Sequence, residues 1–397
     1  MKKTLLATAI AGALGIVATG AQAATVYNQD GSKLDLYGNI QLSIRSIEGY
    51  ENDAPDTSSE SQSDLFDNGS TLGVKGEHVI SPNLTGYFRA EFEFNADEQK
   101  GYYQSYDTGN SDGSGLSKGD QAYLGLTGNF GDLRVGSWDS LFDDWIADPV
   151  SNNEYFDNTD AAADIAGTEY EGDKIAYTSP ILGGFQFVIG TQYKGDGDSS
   201  VEGSPVDNDL TESRAGRFYV DDDNSASLFG GLRYTTGALT LAAVYDDLKN
   251  FQFEPGTTVG GSFTATGGDR DYGSLYGVNA AYEMSDTLRV SVNWNRLDAD
   301  WNSDADVDRY GIGARWNYGM GDLYGSYVYV DAEGNAVATL DPRHFDATNT
   351  DDESYNEFIL GATYNLSSQM YTYIELATYD REDDIGDGVA FGAAYSF

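Results

Sequence analysis

From Lys33 to Arg45 the side chains alternate: Leu34, Leu36, Ile40, Leu42 and Ile44 are oily, whereas Lys33, Asp35, Asn39, Gln41, Ser43 and Arg45 are polar. A period of two is the mark of a β-strand with one dry and one wet face. The pattern returns at Leu84 to Asn95, where Phe88, Ala90, Phe92 and Phe94 oppose Tyr87, Arg89, Glu91 and Glu93. It returns again at Leu288 to Arg296, where Val290, Val292 and Trp294 oppose Arg289, Ser291, Asn293 and Asn295. About sixteen such segments follow one another, near 33–45, 70–80, 84–95, 119–128, 131–138, 172–179, 184–193, 226–235, 238–246, 272–284, 287–297, 306–318, 321–331, 354–365, 368–380 and 388–397. The chain is therefore expected to be all-β.

The connections alternate as well. Ser81-Pro82-Asn83, Asn129-Phe130, Thr236-Gly237, Ser285-Asp286 and Gly319-Met320-Gly321 are tight, while the stretches near 46–69, 96–118, 139–171, 194–225, 247–271 and 332–353 are long and polar. Turns at one end and loops at the other describe an antiparallel barrel. On the oily face, aromatics gather at the strand ends. One rim collects Phe185, Tyr234, Tyr282, Trp316, Tyr318, Tyr364, Tyr395 and Phe397; the other collects Phe92, Phe94, Tyr193, Tyr245, Tyr276, Trp294, Tyr310, Tyr329 and Phe358. Val278, Val290, Ile312, Leu360 and Ile374 lie between. Two aromatic belts around an aliphatic band suit two membrane interfaces. A soluble sandwich or solenoid also alternates, but it has no reason to sort aromatics to strand ends.

At the N-terminus, Lys2 and Lys3 precede an apolar run from Leu5 to about Ala18, and Ala21-Gln22-Ala23 forms an A-x-A cleavage site. Residues 1–23 are thus expected to be a cleaved leader and 24–397 a single barrel domain. Past Ala24 no stretch approaches the ~18 to 20 apolar residues of a spanning helix, and lipid otherwise admits only closed sheets. The net charge of −43 argues against nucleic acid and favours cations as partners. No cysteine is present, which excludes thiolate chemistry and Cys-ligated metals.

The stretch Ala24 to Gly38 (Ala-Thr-Val-Tyr-Asn-Gln-Asp-Gly-Ser-Lys-Leu-Asp-Leu-Tyr-Gly) is similar to the mature start of enterobacterial porins, and Leu72-Gly73-Val74-Lys75-Gly76-Glu77 and Asn83-Leu84-Thr85-Gly86-Tyr87 resemble their second and third strands. The last strand, Val389, Phe391, Ala393, Tyr395 and Phe397, ends on an aromatic. The chain thus resembles the general trimeric outer-membrane porins of Gram-negative bacteria. That resemblance implies a 16-stranded antiparallel transmembrane β-barrel with short periplasmic turns, long extracellular loops and a third loop folded into the lumen. It also implies a homotrimer in the outer membrane, contact with the bilayer and lipopolysaccharide, and no cofactor. Tyr395 and Phe397 would serve as the signal read by the barrel-assembly machinery.

The loop in question runs from about Asp139 to Glu171, and its Asp143, Asp144, Asp148 and Glu154 are the expected acidic side of a constriction. The family's basic positions on the opposing wall fall here on Asn39, Thr71, Tyr123 and Thr178, none of them basic. Lys75, Arg89, Arg134 and Lys174 are the expected replacements, although each could equally be a solvated residue paired with Glu77, Glu91 or Glu93.

Other chemistry finds little support. His78 and His344 are the only histidines, one on an oily face and one in a long loop. Asp304, Asp306 and Asp308 begin like a calcium loop but lack its sixth-position glycine and have Arg315 in place of its last glutamate. Passive, cation-preferring diffusion of small hydrophilic solutes is the leading reading. A saccharide-selective channel using the inward Tyr37, Tyr87, Tyr371 and Tyr373, and an adhesin merely anchored by its barrel, are its rivals.

Overall fold

The computed structural model describes residues 23–48, 62–97, 118–156, 172–194, 216–220, 225–259, 262–302, 304–334, 352–380 and 386–397. The expected leader lies outside these residues except for Ala23, as do His344 and residues 157–171 of the third loop.

One antiparallel sheet of eighteen strands dominates. Sixteen of them form the wall: β1 (Ser32–Ile47), β2 (Thr71–Ser81), β3 (Leu84–Glu93), β4 (Lys118–Gly128), β5 (Gly131–Ser137), β6 (Lys174–Thr178), β7 (Phe185–Lys194), β8 (Ser225–Thr236), β9 (Leu239–Asp247), β10 (Gly273–Ser285), β11 (Leu288–Ala299), β12 (Val307–Asn317), β13 (Asp322–Ala332), β14 (Glu353–Asn365), β15 (Met370–Tyr379) and β16 (Gly388–Ser396). Each pairs with its neighbours in sequence, and the sheet closes where β16 meets β1, from Asn39 opposite Ser396 to Ile47 opposite Gly388. Gly38 and Phe397 complete the seam by exchanging backbone hydrogen bonds of 3.1 and 3.0 Å. The sixteen expected strands are therefore all present, with ends shifted by only a few residues.

β1 is long enough that each edge carries two partners. On one side β2 covers Ser32 to Asn39, and a short strand, Gln62–Asp67, covers Leu42 to Ile47. On the other side β16 is followed by the strand Ala24–Gln29, which pairs with Ser32 to Leu36. Asp30 and Gly31, with φ of 52° and 74°, make the tight turn of that hairpin.

Lipid contact follows from exposure. Ile40, Ile44, Leu124, Ile189, Leu228, Val292, Leu360 and Phe391 stand bare on the outer wall, between exposed rims that include Tyr282, Trp316 and Tyr395 at the turn end and Tyr193, Tyr245 and Tyr310 at the loop end. An apolar surface this continuous is stable only in hydrocarbon.

The inner face is less uniformly polar than alternation suggests. At the loop end Leu275, Leu297, Val307, Val328 and Val330 point inward and are buried in one cluster with Leu248, Phe251, Phe253, Tyr272 and Trp301 from the loops. The fourth and fifth loops, read as polar connectors, contribute a small sheet of Gly216–Val220, Phe251–Val259, Ser262–Ala265 and Arg270–Asp271. Phe253 packs on Trp301 with ring centroids 4.8 Å apart. These aromatics let the loops fold over one side of the mouth.

Elsewhere the wall is tiled by aromatic rings over glycines. Tyr37 lies over Gly73, Tyr87 over Gly125, Tyr324 over Gly361 and Tyr373 over Gly392, each ring occupying the space a Cβ would need. Replacing Gly361 by valine should evict the Tyr324 ring and destabilise the barrel by about 1–3 kcal/mol. The expected result is a lower heat-unfolding midpoint in detergent; an unchanged midpoint would mean that the ring has room to move.

Candidate functional site

After β5 the chain turns into the barrel instead of out of it. Its root is pinned by Lys174 on β6, whose Nζ donates to the Trp138 carbonyl at 2.8 Å, and by Gln121 on β4, which donates to Asp139 Oδ2 at 2.6 Å. A helix then occupies 141–151, wound as a π-helix over Asp143–Ala147 and as an α-helix over Asp148–Ser151. The sequence showed this stretch only as a long polar connection. Ser140 starts the helix by accepting the Asp143 N–H at 3.0 Å and donating to Asp143 Oδ2 at 2.5 Å.

Leu141, Phe142, Trp145, Ile146, Ala147 and Val150 are the helix's buried apolar residues, and the wall that receives them is rich in glycine. A Cβ at Gly231 on β8 would stand 3.1 Å from both Leu141 and Trp145; at Gly277 on β10, 2.8 Å from Ile146; at Gly311 on β12, 3.0 Å from Val150. Asn293 on β11 donates to the Ile146 carbonyl at 2.8 Å, and Arg315 on β12 donates to the Asn152 carbonyl at 2.7 Å. Helix and glycine trough fit because neither presents bulk where the other needs space.

The far end of the described part of the loop is held chiefly by one carboxylate. Glu375 on β15, fully buried, accepts the backbone N–H groups of Glu154, Tyr155 and Phe156 at 2.5, 2.8 and 2.9 Å, and the Tyr324 hydroxyl at 2.6 Å. Asn68 donates to the Glu154 carbonyl at 2.8 Å, and Arg45 to the Tyr155 hydroxyl at 2.7 Å. The described part of the loop thus spans the lumen from the β4–β6 wall to the β15–β1 wall.

The four expected wall bases lie on neighbouring strands. Cross-strand register runs Asp35, Lys75, Arg89, Tyr123, Gly136, Lys174, which puts three of them on one row. Arg134 lies on the next row, opposite Gly125 and Ala176. Their freedom differs. Lys75 is exposed to the lumen, with Nζ 5.2 Å from the Tyr37 ring centroid. Arg89 bonds Glu91 at 2.9 Å and the Tyr37 hydroxyl at 2.6 Å. Arg134 sits 4.5 Å above Tyr123 and 5.3 Å from Trp138. Lys174 is buried beneath the loop root.

The expected acids divide likewise. Asp144 projects into the lumen; Asp143 is engaged by Ser140; Glu154 accepts the Tyr371 hydroxyl at 2.7 Å and lies 3.7 Å from Arg315. Asp148 shares with Asp144, Trp145, Arg233 and Arg289 a cavity of about 440 Å³ on the turn side of the helix. Enclosure by protein, then the Asp139 carboxylate, holds Asp144 above the usual carboxylate range, at about 6, against the pull of Arg134, Lys174 and Arg233. Burial likewise raises Asp139 and Glu154.

Sequence reasoning missed Arg233, Arg289 and Arg315 as partners of the loop, and Glu375 as its anchor. Arg233 stands 4.6 Å above Trp145. All four fall on the wet face of their strands, so alternation marked them as lumenal, but only register shows which of them meet the loop. The aspartates of the failed calcium motif have a plain role: Asp306 and Asp308 both bind Arg296, Asp308 at 2.5 Å.

A family profile described as Gram-negative porin matches residues 7–384 of the chain. A "Monosaccharide porin" from Halomonas sp and a "Major outer membrane protein" from Halomonas elongata are each 46% identical to it over 100% of both chains. Among solved structures, OmpF of Salmonella typhi in complex with daunomycin superposes with a TM-score of 0.61 at 18% identity, covering 94% of this chain and 100% of that one.

If Glu375 holds the loop, Glu375→Ala should strand three loop amides and destabilise the protein by about 3 kcal/mol or more. Planar-bilayer recordings of the variant should show noisier open states and closure at lower voltage. Traces like those of the parent, with an unchanged unfolding midpoint, would show that the anchor is dispensable.

Proposed function

Because the chain belongs to the Gram-negative porin family, and is an outer-membrane β-barrel of a kind that forms channels and not enzymes, we propose that it passes small hydrophilic solutes up to about monosaccharide size by diffusion, with a preference for cations. The observation that carries this reading is the tethered third loop. In this reading the loop narrows the lumen, with Asp139 and Asp144 on the loop side and Lys75, Arg89 and Arg134 on the wall side, a pairing supported by the influence of Arg89 on Asp139 and of Arg134 on Asp144. A gap bounded by fixed opposite charges orders water and dipolar solutes across its axis while leaving the axis open.

Cation preference follows from what the wall bases already hold. Arg89 is matched by Glu91 and Lys174 is withdrawn under the loop, whereas Asp144 faces the path. At the loop-end mouth Asp247, Asp271, Asp298 and Asp300 stand close enough that, after partial burial, their mutual repulsion raises the Asp300 carboxyl. A negative vestibule concentrates cations before they reach the narrow point.

A sugar-sized cut-off is favoured by the name of the Halomonas relative and by the wall itself. Tyr87 meets Tyr123 and Tyr123 meets Trp138 edge-on, at 6.2 and 6.1 Å, with the Arg134 guanidinium 4.5 Å from the Tyr123 ring centroid. Ring faces beside fork-shaped donors suit a pyranose. Residues 1–23 are read as the export leader, the assembly as a homotrimer, Tyr395 and Phe397 as the assembly signal, and lipopolysaccharide as the outer-leaflet neighbour.

Liposomes containing the protein should swell quickly in monosaccharides and much more slowly in trisaccharides; equal rates, or none, would remove the size filter and favour an anchored adhesin. In a KCl gradient the reversal potential should report cation preference. Because Asp144 titrates near 6, it is charged above that pH and neutral below it, so preference should fall between about pH 7.5 and about pH 5. Asp144→Asn should show the low-pH value throughout; an unaltered pH response in that variant would assign the titration to another group.

A further inference from the structure

Behind the loop helix, the wall contains polar groups that the fold leaves unmatched. Arg309 on β12 is 4% exposed, yet its guanidinium forms no ion pair among the described residues, and Nη1 is enclosed without a hydrogen-bond partner. Directly across the ladder is Asn295 on β11, 0% exposed, with both Nδ2 and Oδ1 unpartnered. The residue on the other side is Val330, and Val307 lies two positions back along the strand; both are fully buried. Arg89, Arg296 and Arg315, by contrast, each have a carboxylate within reach.

A guanidinium carries five N–H donors and a charge it does not surrender. Buried beside Val307 and Val330, that charge is not tolerated alone. Trapped water could satisfy the donors but would bring no countercharge. We propose that a small inorganic anion, chloride, occupies this enclosure, held by Arg309 Nη1 and Asn295 Nδ2. The guanidinium charge repels a cation, and antiparallel neighbours place the two donor side chains on the same face, within reach of one ion. The site would also back the seat of the loop. Asn295 Cβ and Ile146 of the loop helix both border Gly277, at 3.0 and 2.8 Å from the point where its Cβ would be. Emptying the enclosure would therefore loosen the surface on which the helix rests.

Crystals of the natural protein grown in bromide should show an anomalous peak within roughly 3.5 Å of Arg309 Nη1 and Asn295 Nδ2. The unfolding midpoint should be about 3 °C or more higher in sodium chloride than in sodium gluconate at equal ionic strength. Arg309→Met should abolish that difference, and Asn295→Leu should reduce it. Absence of the bromide peak, or a chloride effect that survives Arg309→Met, would overturn the assignment. Should neither variant assemble, the bromide map of the natural protein decides alone.

Discussion

Everything in this molecule depends on the closure of one hydrogen-bond ladder. In hydrocarbon an unpaired backbone N–H or C=O has no water to turn to, so a spanning sheet cannot end in an edge. The seam between β1 and β16, extended by the mutual bonds of Gly38 and Phe397, removes the last one. Once the ladder is closed, alternation is compulsory. Every second side chain must suit lipid, and the rest are released from that demand to line an interior. The outer face is thus constrained by the solvent, and the inner face by what the interior does.

A closed wall of sixteen strands is too wide to be selective by itself. Narrowing it requires chain inside the lumen, and chain inside the lumen brings backbone polar groups that must be satisfied. The third loop meets this requirement in three ways. Its first half becomes a helix, which satisfies most of its own amides and buries an apolar stripe in a trough of glycines on β8, β10 and β12. Residues 154–156 give three amides to Glu375. Lys174 and Gln121 secure the root. Each tether comes from a different strand of the rigid wall, so the loop inherits the wall's stiffness.

The parts of this design that repeat were legible in the sequence, and the parts that depend on register were not. Alternation along Lys33–Arg45 fixes strand and faces locally, and sixteen such runs with unequal connections fix the barrel. The hairpin strand Ala24–Gln29 was overlooked even though Asp30-Gly31 is a strong turn signal, because its residues alternate weakly and read as a lead-in. The loop helix was hidden by its aspartates, which made a segment with Phe142, Trp145 and Ile146 at helical spacing look like a polar connector. Lys174 and Arg233 are both basic residues on wet faces, yet one is a buried clamp and the other faces the loop. Only the cross-strand register, which no single strand encodes, separates them. The apolar cluster at the mouth escaped for a related reason: Val307, Val328 and Val330 break the rule of a polar lumen because Phe251, Phe253 and Trp301 fold in from loops distant in sequence.

Net charge is a poor guide to what a solute meets inside. Most of the excess of acidic over basic residues lies away from the narrow point, where bases and acids come closer to balance. What biases the path there is the accessibility of each charge, not the number. Arg89 is committed to Glu91 and Tyr37, Arg315 to Glu154 and Asp322, and Lys174 to backbone carbonyls, so their fields are largely cancelled within the wall. Asp144 borders the path, but enclosure by protein and the neighbouring Asp139 carboxylate raise its proton affinity against the pull of Arg134, Lys174 and Arg233. The same enclosure that raises its affinity also lengthens the reach of its field, since little solvent lies between it and a passing ion. A single carboxylate of this kind outweighs several paired ones.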